Sequence, residues 1–131
     1  MGNLARRLMD VDEAGAYHLG CQPDELRRAI AQAGFALFEA DLAAVQSKGE
    51  FLAAVAQAVK APEWFGNNWD ALADALGDLS WQPAAGYVLL LCNGGETLGL
   101  SAAEHGIASG ILADAVSFWK LQGKPLWVFF C

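Results

Sequence analysis

Two short segments of this chain are apolar at nearly every position, and they constrain its fold more than any other feature. Tyr87-Val88-Leu89-Leu90-Leu91-Cys92 and Leu126-Trp127-Val128-Phe129-Phe130-Cys131 show no polar alternation. A strand with one face in water alternates, so strands like these must be covered on both faces. They are far shorter than the roughly 20 apolar residues of a membrane-spanning helix. Helical sequence separates them, as a parallel crossover requires. The fold class read from this pattern is α/β, a small, three-stranded, mainly parallel sheet packed with helices.

Phe35-Ala36-Leu37-Phe38-Glu39-Ala40 supplies the third strand. Pro23-Asp24-Glu25-Leu26 opens a helix to about Ala33, with acids in its first turn and Gly34 as its stop. Ser47, with Glu50 three residues on, starts a second helix through Phe51, Leu52, Val55 and Val59 that Pro62 ends. A third starts at Asn67 or Asn68, both good caps, and runs to about Leu79. Residues 97–122 read as one short helix and one longer one, with Ile107, Ile111, Leu112, Ala115 and Trp119 as the apolar stripe and Gly123-Lys124-Pro125 as the end. Residues 1–33 form a partly helical N-terminal extension, and residues 34–131 the main domain.

Hydrophobic residues make up 55% of the chain and charged residues 18%, which excludes disorder. The formal net charge of −7 is placed unevenly. Between Lys60 and Lys120 there is no Lys or Arg, yet there are seven acids: Glu63, Asp70, Asp74, Asp78, Glu96, Glu104 and Asp114. Binding nucleic acid by charge neutralisation wants the opposite sign, so no direct nucleic-acid contact is expected. Three cysteines, an odd number without CxxC spacing, suggest neither a disulfide framework nor a zinc site. His18 and His105 have no thiol at ligand spacing, and no cofactor is indicated. MGNLARRLMDVDEAG lacks the apolar run of a signal peptide, so a cytoplasmic protein without membrane contact is expected.

Catalytic constellations are weak. Ser101, His105 and Asp114 resemble a triad only in composition, because no glycine elbow surrounds the serine. Cys92 closes an apolar strand, where a cysteine is usually a small core residue. The carboxylates of the third helix say more. At roughly 100° per residue, Asp74 and Asp78 fall roughly 40° and 80° from Asp70, while Leu72, Leu76 and Leu79 cluster near 180–240°. One face is acidic and the opposite one apolar. No cation stands three or four residues from these aspartates, so like charges oppose one another along the helix. An exposed helix face is a poor general acid–base site, since catalysis needs a pocket. It is a good docking surface for a cationic partner. Just before it, Pro62-Glu63-Trp64-Phe65-Gly66-Asn67-Asn68-Trp69 sets large aromatics against the acidic stripe, with Gly66 expected at positive φ. Aromatics at the edge of a charged patch are the composition of a protein-binding hot spot.

The run from Pro62 to Leu76, an aromatic pair, glycine and capping asparagine followed by Asp-Ala-Leu-x-Asp-x-Leu, resembles the barstar family of intracellular ribonuclease inhibitors. The resemblance covers roughly residues 35–131 and leaves residues 1–33 outside it. It implies a three-stranded parallel sheet with helices, and a one-to-one plug for a ribonuclease active site. By motif position, Asp74 would be the main phosphate mimic and Asp70 its partner. Trp64 would stand at the aromatic loop position, and Asn68 would be helix cap and rim contact. With these, Gly66, Asn67, Trp69, Ala73, Gly77 and Asp78 make up the expected partner-binding surface. Two positions depart from the family: Ala73 replaces an aromatic, and Phe118 stands where barstar has a glutamate on its last helix. The expectation is a barstar-like inhibitor or immunity protein, not an enzyme, that blocks a basic ribonuclease. The alternatives are a barstar-like module for a basic partner that is not a nuclease, and a small hydrolase using Asp70 and Asp74.

Overall fold

The computed structural model describes residues 3–63 and 66–131. In chain order the elements are α1 (Asn3–Leu8), a 3-10 turn (Val11–Glu13), β1 (Ala16–His18), α2 (Pro23–Ala33), β2 (Ala36–Asp41), α3 (Lys48–Ala58), α4 (Trp69–Leu76), β3 (Tyr87–Cys92), α5 (Ala102–Leu121) and β4 (Leu126–Phe130). The strands form one sheet in the order β1-β4-β3-β2, and every neighbouring pair is parallel. β3 is fully paired on both sides, Ala36 to Asp41 matching Tyr87 to Cys92, and Tyr87 to Leu91 matching Leu126 to Phe130.

Side chains alternate between the two faces, and each face has its own core. Tyr87, Leu89, Leu91, Leu126 and Val128 join Phe51, Leu52, Leu72, Leu76, Leu112 and Trp119 beneath α3, α4 and α5. Val88, Leu90, Trp127 and Phe129 join Ala5, Leu8, Leu26, Ala29 and Ile30 beneath α1 and α2. The α/β class and the parallel sheet are as the sequence implies. The strand number is four, not three. The additional strand, β1, belongs to the N-terminal segment, so that segment is part of the sheet as well as helical. Its three residues are all exposed, which is why no apolar pattern marks it. Backbone pairing to β4 holds it there, with the Tyr17 ring 5.8 Å from that of Trp127. An unpaired edge on β4 would be open to other chains, and β1 occupies it.

The helix assignments differ from expectation mainly at their ends. Residues 97–122 contain a single helix, α5, preceded by turns and opened by a full capping box between Ser101 and Glu104. α2 stops at Gly34, whose φ of 74° is the left-handed conformation glycine adopts freely.

Three tryptophans tie the layers together in the same way. Trp119 Nε1 donates to the Leu76 carbonyl (2.7 Å), Trp81 Nε1 to Val59 (2.9 Å) and Trp127 Nε1 to Leu8 (2.8 Å). Each acceptor lies at the C-terminal end of a helix, where the last carbonyls have no partner within the helix. A bulky apolar side chain thus also satisfies an orphan backbone acceptor. The Trp119 ring packs on Tyr87 (5.3 Å), whose burial pushes its phenol above the ordinary tyrosine value.

At the C-terminal ends of the central strands, Cys92 and Cys131 are disulfide-bonded, with Cα atoms 4.4 Å apart. The sequence reading expected no such bond. Spacing along the chain hid it, because the bond joins neighbouring strands 39 residues apart. Cys21 is free, and burial followed by the nearby Glu25 raises its thiol above the ordinary value. Beside the bond, Asn93 Nδ2 donates to Asp41 Oδ1 (3.0 Å) and links β3 to β2. That bond and the Ala43 N–H hold the Asp41 carboxyl below its ordinary value.

Reduction of the bond, or Cys131→Ser, is expected to lower stability by about 2–4 kcal/mol through the freed loop of the unfolded chain. Urea melts with and without dithiothreitol measure this. Coincident curves would show that strand pairing alone sets the stability of this end of the sheet.

Candidate acidic docking face

α4 starts where the Asn68 side chain accepts from the Ala71 N–H (2.8 Å). The backbone of Asn68 is extended (φ −139°), as a cap requires, and Asp70 follows in the first turn, where a carboxylate favours the helix dipole. The approach to the cap is set one residue later than expected. Asn67, not Gly66, takes the left-handed conformation, with φ 53°. Asparagine tolerates that region better than most residues with a side chain. Gly66 serves instead through close approach: Asn68 Nδ2 donates to its carbonyl (3.2 Å), and a Cβ at Gly66 would lie 2.9 Å from that nitrogen.

The apolar side of α4 is buried through Leu72, Ala75 and Leu76, while Asp70, Ala73 and Asp74 are exposed. The helix ends at Leu76 rather than Leu79. Gly77 caps it, partly exposed, and Asp78 is exposed in the turn that follows. The acidic row therefore consists of two carboxylates on the helix and one just beyond it. Trp69 is only partly exposed; its ring sits 6.1 Å from Phe51 of α3, with Lys48 Nζ 5.8 Å from its centre. Gly66, Asn67 and Asn68 are exposed before the helix, and Trp64 lies outside the described residues.

Ion pairs among the described residues join Arg7 to Glu13 and Arg27 to Asp24 and Glu39. None involves the acidic row. The α4 carboxylates are thus exposed and make no ion pair among the described residues, on a helix fixed at its start by Asn68 and at its end by Trp119. They can accept several charge-assisted hydrogen bonds from an incoming guanidinium or ammonium. Two cavities, of about 380 and 340 Å³, are both lined from the N-terminal segment, and neither includes Asp70 or Asp74.

The catalytic constellations considered from sequence do not assemble. The Ser101 hydroxyl caps α5, His105 Nδ1 lies 3.5 Å from Ser109 Oγ, and Cys92 is bonded to Cys131. Sequence reasoning missed Trp119 as the residue that fixes the far end of α4. The available signal was that a buried indole N–H needs an acceptor. It placed Ile107 in the apolar stripe of residues 97–122, whereas the buried residues of α5 are Ala108, Leu112, Ala115, Val116 and Trp119 and Ile107 is exposed.

These features define a small α/β protein that presents an acidic helix on one side of a doubly covered parallel sheet. The family described as Barstar (barnase inhibitor) matches residues 35–131, and the chain belongs to it. No curated protein sequence matches the chain. No helix among the described residues is long and apolar enough to cross a membrane.

Two substitutions separate the cap from the charge. Asn68→Ala is expected to cost about 1 kcal/mol of stability, because the Ala71 N–H loses its acceptor. Asp74→Asn removes like-charge repulsion with Asp70 and Asp78, and is expected to leave stability unchanged or raise it by up to about 0.5 kcal/mol. Denaturant melts distinguish them. A clear loss for Asp74→Asn would make Asp74 a structural residue.

Proposed function

We propose that the protein is a non-enzymatic inhibitor that binds a basic ribonuclease and blocks its active site with α4. The observation that carries this reading is the exposed row of Asp70 and Asp74, one turn apart on a capped helix, in no ion pair among the described residues. A ribonuclease cleft gathers cationic side chains to hold phosphates and stabilise developing charge. Carboxylates at fixed spacing meet those donors, and they contain no phosphodiester to cleave. Asp74 is the main phosphate mimic and Asp70 its partner. Asn67 and Asn68 stand at the rim, while Ala73, Gly77 and Asp78 border the row. Family membership supports an inhibitor role, and the exposed position of the carboxylates on a helix face supports binding over catalysis. The protein makes no direct contact with nucleic acid or membrane.

A second reading is a basic partner that is not a nuclease. It is favoured by Ala73 and Phe118, which stand where the family carries contact residues. Inhibition of ribonuclease turnover, rather than binding alone, decides between the two.

Barnase and related secreted ribonucleases are the test enzymes. The purified chain is expected to suppress their turnover stoichiometrically, with Asp74→Asn weakening binding by about 2–5 kcal/mol as the partner's buried cations lose their counter-charge. Association is expected to slow steeply between low and high salt, because steering is screened beyond a Debye length of about 8 Å at physiological ionic strength. This salt response is carried over from the barnase–barstar pair, where steering is known. Stopped-flow association measurements check it. A rate independent of salt removes steering, and equal binding by Asp74→Asn removes the phosphate-mimic role.

A further inference from the structure

We infer that the N-terminal segment and β4 enclose a small-molecule site, and that its ligand is a free aromatic α-amino acid whose ring carries no polar group. The larger of the two cavities, of about 380 Å³, falls within the size range of ligand pockets. Leu4 and Leu8 of α1, Tyr17 of β1, and Trp127 and Phe129 of β4 supply its apolar lining. No residue of α4 lines it, so it is a second site, distinct from the docking face. The family match begins at residue 35, and only the two β4 residues of the lining lie inside it.

The lining decides what the body of a ligand can be. The rings of Tyr17, Trp127 and Phe129 lie within 6.4 Å of one another, centre to centre, and within 39° of parallel. Aligned aromatic surface suits a flat ring better than a branched chain. The polar atoms of these rings are already committed. Trp127 Nε1 donates to the Leu8 carbonyl (2.8 Å), and the Tyr17 hydroxyl donates to the Glu13 carbonyl (2.7 Å). His18 also borders the cavity, but its ring stands 5.8 Å from that of Phe130, which packs on the core of the opposite sheet face. That leaves the Cys21 thiol, a weak partner for any hydroxyl or amide that a ligand brings inside. The body is therefore flat and apolar.

The head group follows from the mouth, where both signs of charge are present. Arg7 and Glu13 line the cavity, both are exposed, and Arg7 Nε lies 3.5 Å from Glu13 Oε2. A ligand with only a carboxylate would meet Arg7 but bring a like charge against Glu13. One with only an ammonium would do the reverse, and like charges brought together oppose binding. An α-amino acid carries both groups on one carbon, at a separation close to that of the Arg7–Glu13 pair. Opening that pair costs little, because exposed ion pairs contribute little to stability, and charge-assisted bonds to both ends replace it. Occupancy ties α1, the 3-10 turn and β1 to β4. It thereby protects the bond from the Leu19 N–H to the Phe130 carbonyl (2.9 Å) that continues the β1–β4 pairing.

The probe is free phenylalanine, titrated into the full chain without any ribonuclease and followed by NMR at the Trp127 indole N–H. Saturable binding with a Kd of about 1 mM or tighter is expected for a ligand of this size. N-acetylphenylalanine keeps only the carboxylate and phenylalaninamide only the ammonium, and each should bind at least about fivefold more weakly. Leucine and tyrosine should fall by a similar factor, the first for want of a flat ring, the second for its hydroxyl. Arg7→Gln, a change at an exposed side chain, should erase the advantage of phenylalanine over phenylalaninamide. Glu13→Gln should erase its advantage over N-acetylphenylalanine. Bound phenylalanine should also slow hydrogen exchange at the Leu19 N–H. If phenylalanine at about 10 mM leaves the Trp127 signal unmoved, the site is wrong. Equal binding of either single-charge analogue overturns the head group, and equal binding of leucine or tyrosine overturns the apolar aromatic body.

Discussion

The structure depends on the burial of β3 from both sides. With Tyr87, Leu89 and Leu91 facing one way and Val88 and Leu90 the other, neither face can meet water. Two layers of helices follow from that constraint, and so do the parallel strands, since each crossover must carry a helix back over the sheet. α4 is one of these covering helices. Its inner side is fixed by the core as Leu72, Ala75 and Leu76, which leaves its outer side free for another purpose. Charge collects there without entering the core, because the two sides of a helix are chemically independent.

What was legible in the sequence was whatever burial writes as a pattern. β3 and β4 announce themselves as apolar runs, α2 and α3 by their caps, and α4 by the opposition of aspartates and leucines. β1 left no trace because nothing in Ala16–His18 is buried; only backbone pairing makes it a strand. The disulfide was invisible because its two cysteines become neighbours only when β3 and β4 pair. On α5, periodicity found the apolar residues but not the true inner line, since Ile107 and Ile111 extend the apolar surface past the buried face. At the start of α4, two asparagines were equivalent candidates by propensity. Geometry divides the work between them, Asn67 bending the chain and Asn68 capping the helix.

The acidic row shows fold and function drawing on separate residues. Its carboxylates make no ion pair with the described residues of their own chain, and their mutual repulsion works against the helix that carries them. The helix tolerates this because its support lies elsewhere, in the Asn68 cap, the leucines beneath and the indole of Trp119 at its far end. Rigidity matters to such a surface. A flexible acidic segment would lose conformational entropy on docking, whereas a helix held at both ends offers its charges already spaced.

The register of the sheet also bears on how the molecule is made. β4 is a central strand, yet it is formed by the last described residues, and β1 pairs with it from near the other end of the chain. During synthesis the N-terminal segment has no strand to join until β4 has left the ribosome. Until then the β3 edge that pairs with β4 is open. Closure of the molecule is therefore a late, non-local event, set by the loop entropy of joining distant segments. The nascent protein passes through an open-edged stage in which association with other chains competes with its own completion.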